Sequence, residues 1–209
     1  MKPALFYDTE TTGLPDWSAP SEAPHQPHVV QIGAALVNLE TFEQLASIDI
    51  MIRPDGWTIP DDVAAIHGIT TELAHDVGVR APIAYEMLLD LWMRSSVRIG
   101  HNESFDARLV RIGLLRHVDK DPDAAVHTSW KTGTAMCTQT MSTPIVKLPP
   151  TDKMKKAGFT KHKSAKLSEA YEFFTGKQLE GAHRAMVDVQ GCIEVFRCIQ
   201  RGDSVRAAA

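Results

Sequence analysis

Asp8, Glu10, Asp106, His183 and Asp188 are the residues of this chain whose types and spacing suit chemistry on a charged substrate: four carboxylates to hold divalent cations and one imidazole to move a proton. The apolar run Ala4-Leu5-Phe6-Tyr7 leads directly into Asp8-Thr9-Glu10. In a strand, where side chains alternate with a period of two, both carboxylates fall on one face. Neighbouring acids resist joint ionisation, so a divalent cation is the partner that makes their closeness favourable.

Two further carboxylates stand where apolar residues belong. Ala185, Val189, Cys192, Ile193, Phe196 and Ile199 recur at helical spacing, and Asp188 projects into the same stripe, between Val195 and Ile199. In residues 104–115 the apolar positions are Phe105, Leu109, Val110 and Ile112, and Asp106 projects between Leu109 and Val110. A carboxylate on the buried face of a helix is costly unless it is paired or ligates a metal. His183 lies five residues before Asp188, which on a continuous helix would turn the two side chains roughly 140° apart. Both reach one site only if His183 lies on the turn leading into the helix, a placement that Gly181 supports.

These segments resemble the DEDD exonuclease superfamily, in its DnaQ-like branch with a histidine base. The matching motifs are Asp8-Thr9-Glu10-Thr11-Thr12-Gly13, then Gly100-His101-Asn102-x-x-Phe105-Asp106, and His183-Arg184-Ala185-x-x-x-Asp188, with Ala65-Ile66-His67-Gly68-Ile69-Thr70-x-Glu72 between the first two. The tyrosine branch carries its base four residues before the last Asp, where this chain has Arg184. The resemblance implies a ribonuclease H-like α/β fold, a mixed central sheet flanked by helices. It also implies a 3′→5′ exonuclease that releases nucleoside 5′-monophosphates from single-stranded or frayed ends, DNA before RNA. Asp8 would bridge two Mg²⁺ or Mn²⁺ ions, with Glu10 and Asp188 completing one site and Asp106 serving the other. Carboxylates without a cysteine ligand suit Mg²⁺ better than zinc. His183 would take the proton of the attacking water. The backbone around Thr11 and Thr12 would hold the terminal 3′ hydroxyl, and Asn102 and Phe105 would line the site. Two alternatives stay open: an RNA-trimming enzyme similar to ribonuclease T or oligoribonuclease, and a non-catalytic nucleic-acid-binding homologue.

At 209 residues and 44% hydrophobic composition the chain suits one soluble domain, expected over residues 1–209. No run approaches a membrane span and no signal pattern precedes the first strand, so a cytoplasmic location is expected. Cys137, Cys192 and Cys198 form no close metal-ligand motif, and Cys192 reads as core. The net charge of −4 is unlike a pure nucleic-acid binder, although four site acids would be offset by bound cations.

Strands are expected near 4–9, 29–37, 45–53, 97–101 and 134–138, and helices near 61–67, 82–94, 104–117, 166–175 and 183–200. Two segments interrupt this order. Residues 13–28 hold four prolines, Trp17, His25 and His28 and must be a loop. Leu14 and Trp17 either stack on the terminal base or simply pin the loop, while the two histidines read as solvent-facing. Residues 147–166 carry seven lysines, among them Lys153, Lys155, Lys156 and Lys163, against one acid, Asp152. This segment is either a solvated loop or an arm that tracks phosphates beside the site.

Overall fold

Nine residues, Pro3–Thr11, make β1, the middle strand of a five-stranded sheet ordered β3-β2-β1-β4-β5. The computed structural model describes residues 2–203; residue 1 and residues 204–209, the two ends of the expected domain, lie outside the described residues. β2 (Val29–Asn38) pairs antiparallel with β1, and β3 (Gln44–Met51) antiparallel with β2. β4 (Arg98–Gly100) and β5 (Ala135–Cys137) run parallel to β1. Parallel neighbours need long crossovers, and helices supply them: α1 (Asp61–His67), α2 (Thr71–Val77) and α3 (Ala81–Trp92) before β4, then α4 (Glu103–His117) and α5 (Ala125–Thr132) before β5. α6 (Thr138–Val146), α7 (Asp152–Lys156), α8 (Leu167–Thr175) and α9 (Ala185–Arg201) follow. The mixed α/β sheet expected from the sequence is what forms.

The unbroken apolar run of β1 reflects burial on both faces. Ala4 and Phe6 join Val189, Cys192 and Phe196 of α9 on one side, while Leu5 and Tyr7 join α3, α4 and Trp130 of α5 on the other. Phe6 meets Phe196 edge-on at 5.5 Å, and Tyr7 meets Trp130 likewise at 5.5 Å. Each such buried side chain stabilises the fold by about 1.5–3 kcal/mol. α9 is buried on a second flank too, with Val195 and Cys198 packed against Phe174 of α8.

Four helices, α2, α5, α6 and α7, were not expected from the sequence. Their apolar periodicity is weak for identifiable reasons. α2 leaves Leu73 and Val77 exposed and buries only Ala74; α7 buries nothing. α6 contains Pro144, which reads as a breaker because it removes a backbone donor. Among the described residues the three cysteines are free, and no helix is long and apolar enough to cross a membrane.

The start of α4 is bolted to the sheet by a buried ion pair. Arg98 of β4 donates from Nε to Glu103 Oε1 at 2.6 Å, and Tyr7 donates from its hydroxyl to the same oxygen at 2.8 Å. The Arg98 guanidinium also reaches the Trp130 carbonyl and lies over the Trp92 and Trp130 rings. Arg98→Ala would leave the Glu103 carboxylate buried without its partner. It is expected to lower the unfolding free energy by about 3–5 kcal/mol, read as a midpoint shift in urea; a loss below about 1 kcal/mol, as for an exposed pair, would contradict this role.

Candidate active site

The site is assembled at the C-terminal end of β1. Asp8 and Glu10 share one face, opposite Gly33 and Gln31 of β2. A side chain at Gly33 would place its Cβ 2.5 Å from the Ala185 carbonyl carbon, so only glycine lets the start of α9 lie directly on β2. Gln31 completes the seat. Its Oε1 accepts the Ala185 amide at 3.2 Å, and its Nε2 donates to Asp49 Oδ1 at 2.6 Å. Asp188, in the first turn of α9, is thereby brought over β1. Carboxylate oxygens of Asp8, Glu10 and Asp188 all lie within 4.8 Å of one another.

Asp106 arrives by a different route. The Leu5 amide points toward β4 and donates to the Val97 carbonyl at 2.9 Å; the Thr9 amide, four residues on, points the same way. β4 has ended at Gly100, and Asp106 Oδ1 takes the place of a strand carbonyl, accepting the Thr9 amide at 2.9 Å and the Thr9 hydroxyl at 2.7 Å. The carboxylate is 3% exposed and stands beside the trio of Asp8, Glu10 and Asp188.

His183 lies on the lead-in turn, as the angular arithmetic requires. Its backbone is left-handed at φ 66°, after Gly181 at φ 71°, and its amide donates to Asp188 Oδ2 at 3.0 Å. The ring is exposed and lines a cavity of about 350 Å³ together with Asp8, Asp188, His101, Gln139 and Lys166. The structure therefore brings all five candidate residues to one end of β1.

Crowding sets the electrostatics. Burial, then Asp106, Asp188 and Glu10, hold the Asp8 carboxyl well above the ordinary carboxylate range. Burial with Asp188 and Asp106 pushes Glu10 up to about 8, against a smaller opposing pull from Arg184. Burial pushes Asp106 up to about 7 although the two Thr9 hydrogen bonds favour its charged form. Asp188 is raised by burial and eased by the His183 amide. An all-oxygen donor set whose members repel one another is the environment that a hard divalent cation relieves.

The other candidate contacts divide. Leu14 and Trp17 are 83% and 60% exposed, at the rim of a loop held by two arginines of α4. Arg108 donates to the Asp16 and Ala19 carbonyls and lies over the Trp17 ring, and Arg116 donates to the Pro24, Gln26 and Pro27 carbonyls. Thr11 turns its hydroxyl to the Gly13 carbonyl at 2.8 Å, and Thr12 Oγ1 accepts the His28 amide at 2.9 Å. Asn102 is an exposed left-handed cap of α4, whereas Phe105 packs on the α3/α4 core. His25 is exposed and pairs with Asp16. His28 is not solvent-facing: it is half-buried and stacked on Trp57 at 4.5 Å, and burial with Arg116 and His117 nearby lowers it to about 4. Lys163 is likewise not free, since its ammonium pairs with Glu169 at 2.5 Å. Lys155 pairs with Asp152 at 3.2 Å, and Lys153 and Lys156 are exposed on or beside it in α7.

Two residues at the site escaped the sequence reading. His101 is buried, with Nε2 donating to the Ala165 carbonyl and Nδ1 facing the Thr138 hydroxyl, both at 2.9 Å. It stood within the second motif, but its partners lie too far along the chain to be read from spacing. Lys166 was one of seven similar lysines, with nothing local to mark it as the one that lines the cavity.

A mixed sheet whose central strand ends in acids met by a carboxylate from each flanking helix layer defines a ribonuclease H-like nuclease architecture. A family model described as an exonuclease, RNase_T, matches residues 5–196, and the chain belongs to that exonuclease family. This agrees with the resemblance carried by its three motifs. Among solved structures it is similar to E. coli exonuclease I in complex with a dT13 oligonucleotide (TM-score 0.71, 19% identity). It is also similar to the zinc-ion-bound form of the E. coli enzyme with single-stranded DNA (0.70, 18%) and to a moderately thermophilic exonuclease I from Methylocaldum szegediense (0.67, 19%). Each match covers 96% of this chain and 41% of the other, so the chain spans about two fifths of the length of these enzymes. No curated protein sequence matches it.

The raised carboxyls give the metal-free protein a pH dependence of definite sign. Groups whose folded pKa exceeds the unfolded value favour folding at low pH and lose that contribution as pH rises through the folded pKa. The carboxylates' contribution to the melting temperature without metal is therefore expected to fall between about pH 5 and pH 8, following Asp106 and Glu10. The net fall should be clearest above about pH 6.5, where histidines whose pKa burial lowers, such as His28, no longer add an opposite trend. Mg²⁺ or Mn²⁺ should raise it strongly at pH 8 and little at pH 5, in scanning calorimetry. A metal-induced shift independent of pH would contradict the site.

Proposed function

We propose that this chain works as a single metal-dependent 3′→5′ exonuclease domain, hydrolysing single-stranded or frayed DNA to nucleoside 5′-monophosphates. The convergence of Asp8, Glu10 and Asp188 within 4.8 Å, in a cavity that His183 also lines, carries this reading. The donor set fits two Mg²⁺ or Mn²⁺ ions, held by Asp8, Glu10 and Asp188 with Asp106 beside them. When bound, such ions polarise the scissile phosphate, acidify the attacking water and offset charge on the leaving 3′ oxygen.

The chain's own side chains do the rest. The His183 imidazole, standing free at the cavity, accepts the proton of the attacking water. The hydrogen bond from its amide to Asp188 fixes where that ring can stand relative to the carboxylates. The exposed Leu14 and Trp17 offer apolar faces to the terminal base, and the Thr11–Thr12 backbone receives the terminal sugar. A DNA substrate is supported by the oligonucleotide complexes of the structural neighbours.

Degradation of matched DNA and RNA strands labelled at the 5′ end tests the reading, with a ladder shortening from the 3′ end expected for DNA. Asp8→Ala should abolish cleavage together with the metal-induced rise in melting temperature. His183→Ala should lower kcat by about 10²–10⁴ and keep the metal-induced rise. Full activity in both variants would overturn the assignment.

A further inference from the structure

The cavity lined by Asp8 and Asp188 has a second one beside it. Gln139, at the start of α6, lines both, and the second, of about 350 Å³, is formed with Thr143, Lys161, His162 and Ser164. The two hollows therefore share one lining side chain, with Asp8 and Asp188 on one side of it and Lys161 on the other. Of the residues lining the first hollow, Lys166 is the only lysine or arginine, and in the second it is Lys161. Neither ammonium has a hydrogen bond or an ion pair within 4.0 Å among the described residues. Glu169, whose carboxylate accepts the Lys166 amide, is taken by the Lys163 ammonium and feels the Lys166 ammonium only at longer range.

The backbone between these lysines is fixed. Ala165 is fully buried, its carbonyl held by His101 and its amide by the Thr143 hydroxyl at 3.3 Å, while the Lys163 amide donates to the Leu148 carbonyl at 3.2 Å. The two unpaired cations thus project from an anchored stretch rather than from a free arm. A strand approaching the carboxylates carries like charge to them. Cations along the approach are what its phosphates require.

We infer that the two neighbouring cavities form the track for the phosphodiester backbone upstream of the scissile bond, with Lys166 meeting the first phosphate upstream of that bond and Lys161 the next. This rests on the exonuclease reading. It moves the strand contacts away from the α7 lysines that composition alone singled out.

Binding of an oligothymidylate and of the matching trinucleotide, each carrying fluorescein at its 5′ end through a linker without phosphate and followed by anisotropy across a salt series with Ca²⁺ in place of Mg²⁺, tests the inference. Lys166→Ala and Lys161→Ala should each weaken binding of the longer strand several-fold and flatten the slope of log K against log salt by about 0.7. The trinucleotide, which has one phosphate upstream of its scissile bond, should be sensitive to Lys166→Ala and indifferent to Lys161→Ala. Lys166→Arg should restore most of the loss, and the double variant Lys153→Ala/Lys156→Ala should bind as the parent does. An unchanged metal-induced melting shift in every variant would show that fold and carboxylate site are intact. Parent-like binding by both single variants, or a slope lost only in the α7 double variant, would overturn the track while leaving the exonuclease reading in place. Failure of the unaltered protein to bind or cleave any strand would overturn both.

Discussion

Four carboxylates meet at the end of β1, and the cost of burying their charges together is the constraint to which the rest of the structure answers. Left to electrostatics, Asp8, Glu10, Asp106 and Asp188 would separate or take up protons; burial above all, joined by the neighbouring site carboxylates at Asp8 and Glu10, raises all four pKa values in the folded chain. Everything around them opposes separation. Two apolar cores, one on each face of β1, press α4 and α9 toward the strand that carries the acids. A marginal fold retains such an arrangement only where stabilisation elsewhere exceeds it.

Three devices deliver the four carboxylates, and none of them is a loop. Asp8 and Glu10 belong to the strand itself. Asp188 depends on the missing side chain of Gly33 and on Gln31, which together let α9 begin in contact with β2. Asp106 depends on the shortness of β4, whose early end leaves the Thr9 amide for a side chain to satisfy. The Arg98–Glu103–Tyr7 cluster then fixes the first turn of the helix that bears it. Sites built on regular elements hold their geometry more tightly than sites on loops.

Much of this was legible in the sequence because it is written in local periodicity. The run Ala4–Tyr7 announced a buried strand, and the stripe Ala185–Ile199 exposed Asp188 as the polar intruder. The angle between His183 and Asp188 required the turn that the structure shows at φ 66°. What stayed hidden depends on pairings between distant segments. Lys163 with Glu169 and His28 on Trp57 turned residues that read as solvated into partnered ones. His101 and Ala165 meet across 64 positions of chain. α6 was concealed for the opposite reason: Pro144 is a strong local signal against a helix, overruled by the packing of Ser142 and Val146.

α4 carries more than Asp106. The same helix holds Arg108 and Arg116, whose guanidinium groups clasp the carbonyls of the proline-rich loop ahead of β2. The exposed Trp17 and the buried acid are therefore mounted on one rigid rod. Any tilt of α4 displaces the loop rim and the carboxylate together, so their separation is conserved while their position relative to β1 is not. Mechanically, the clasp turns a sixteen-residue irregular segment, residues 13–28, into an outrigger of a helix. Its shape is settled during folding, and little conformational freedom remains for a ligand to remove.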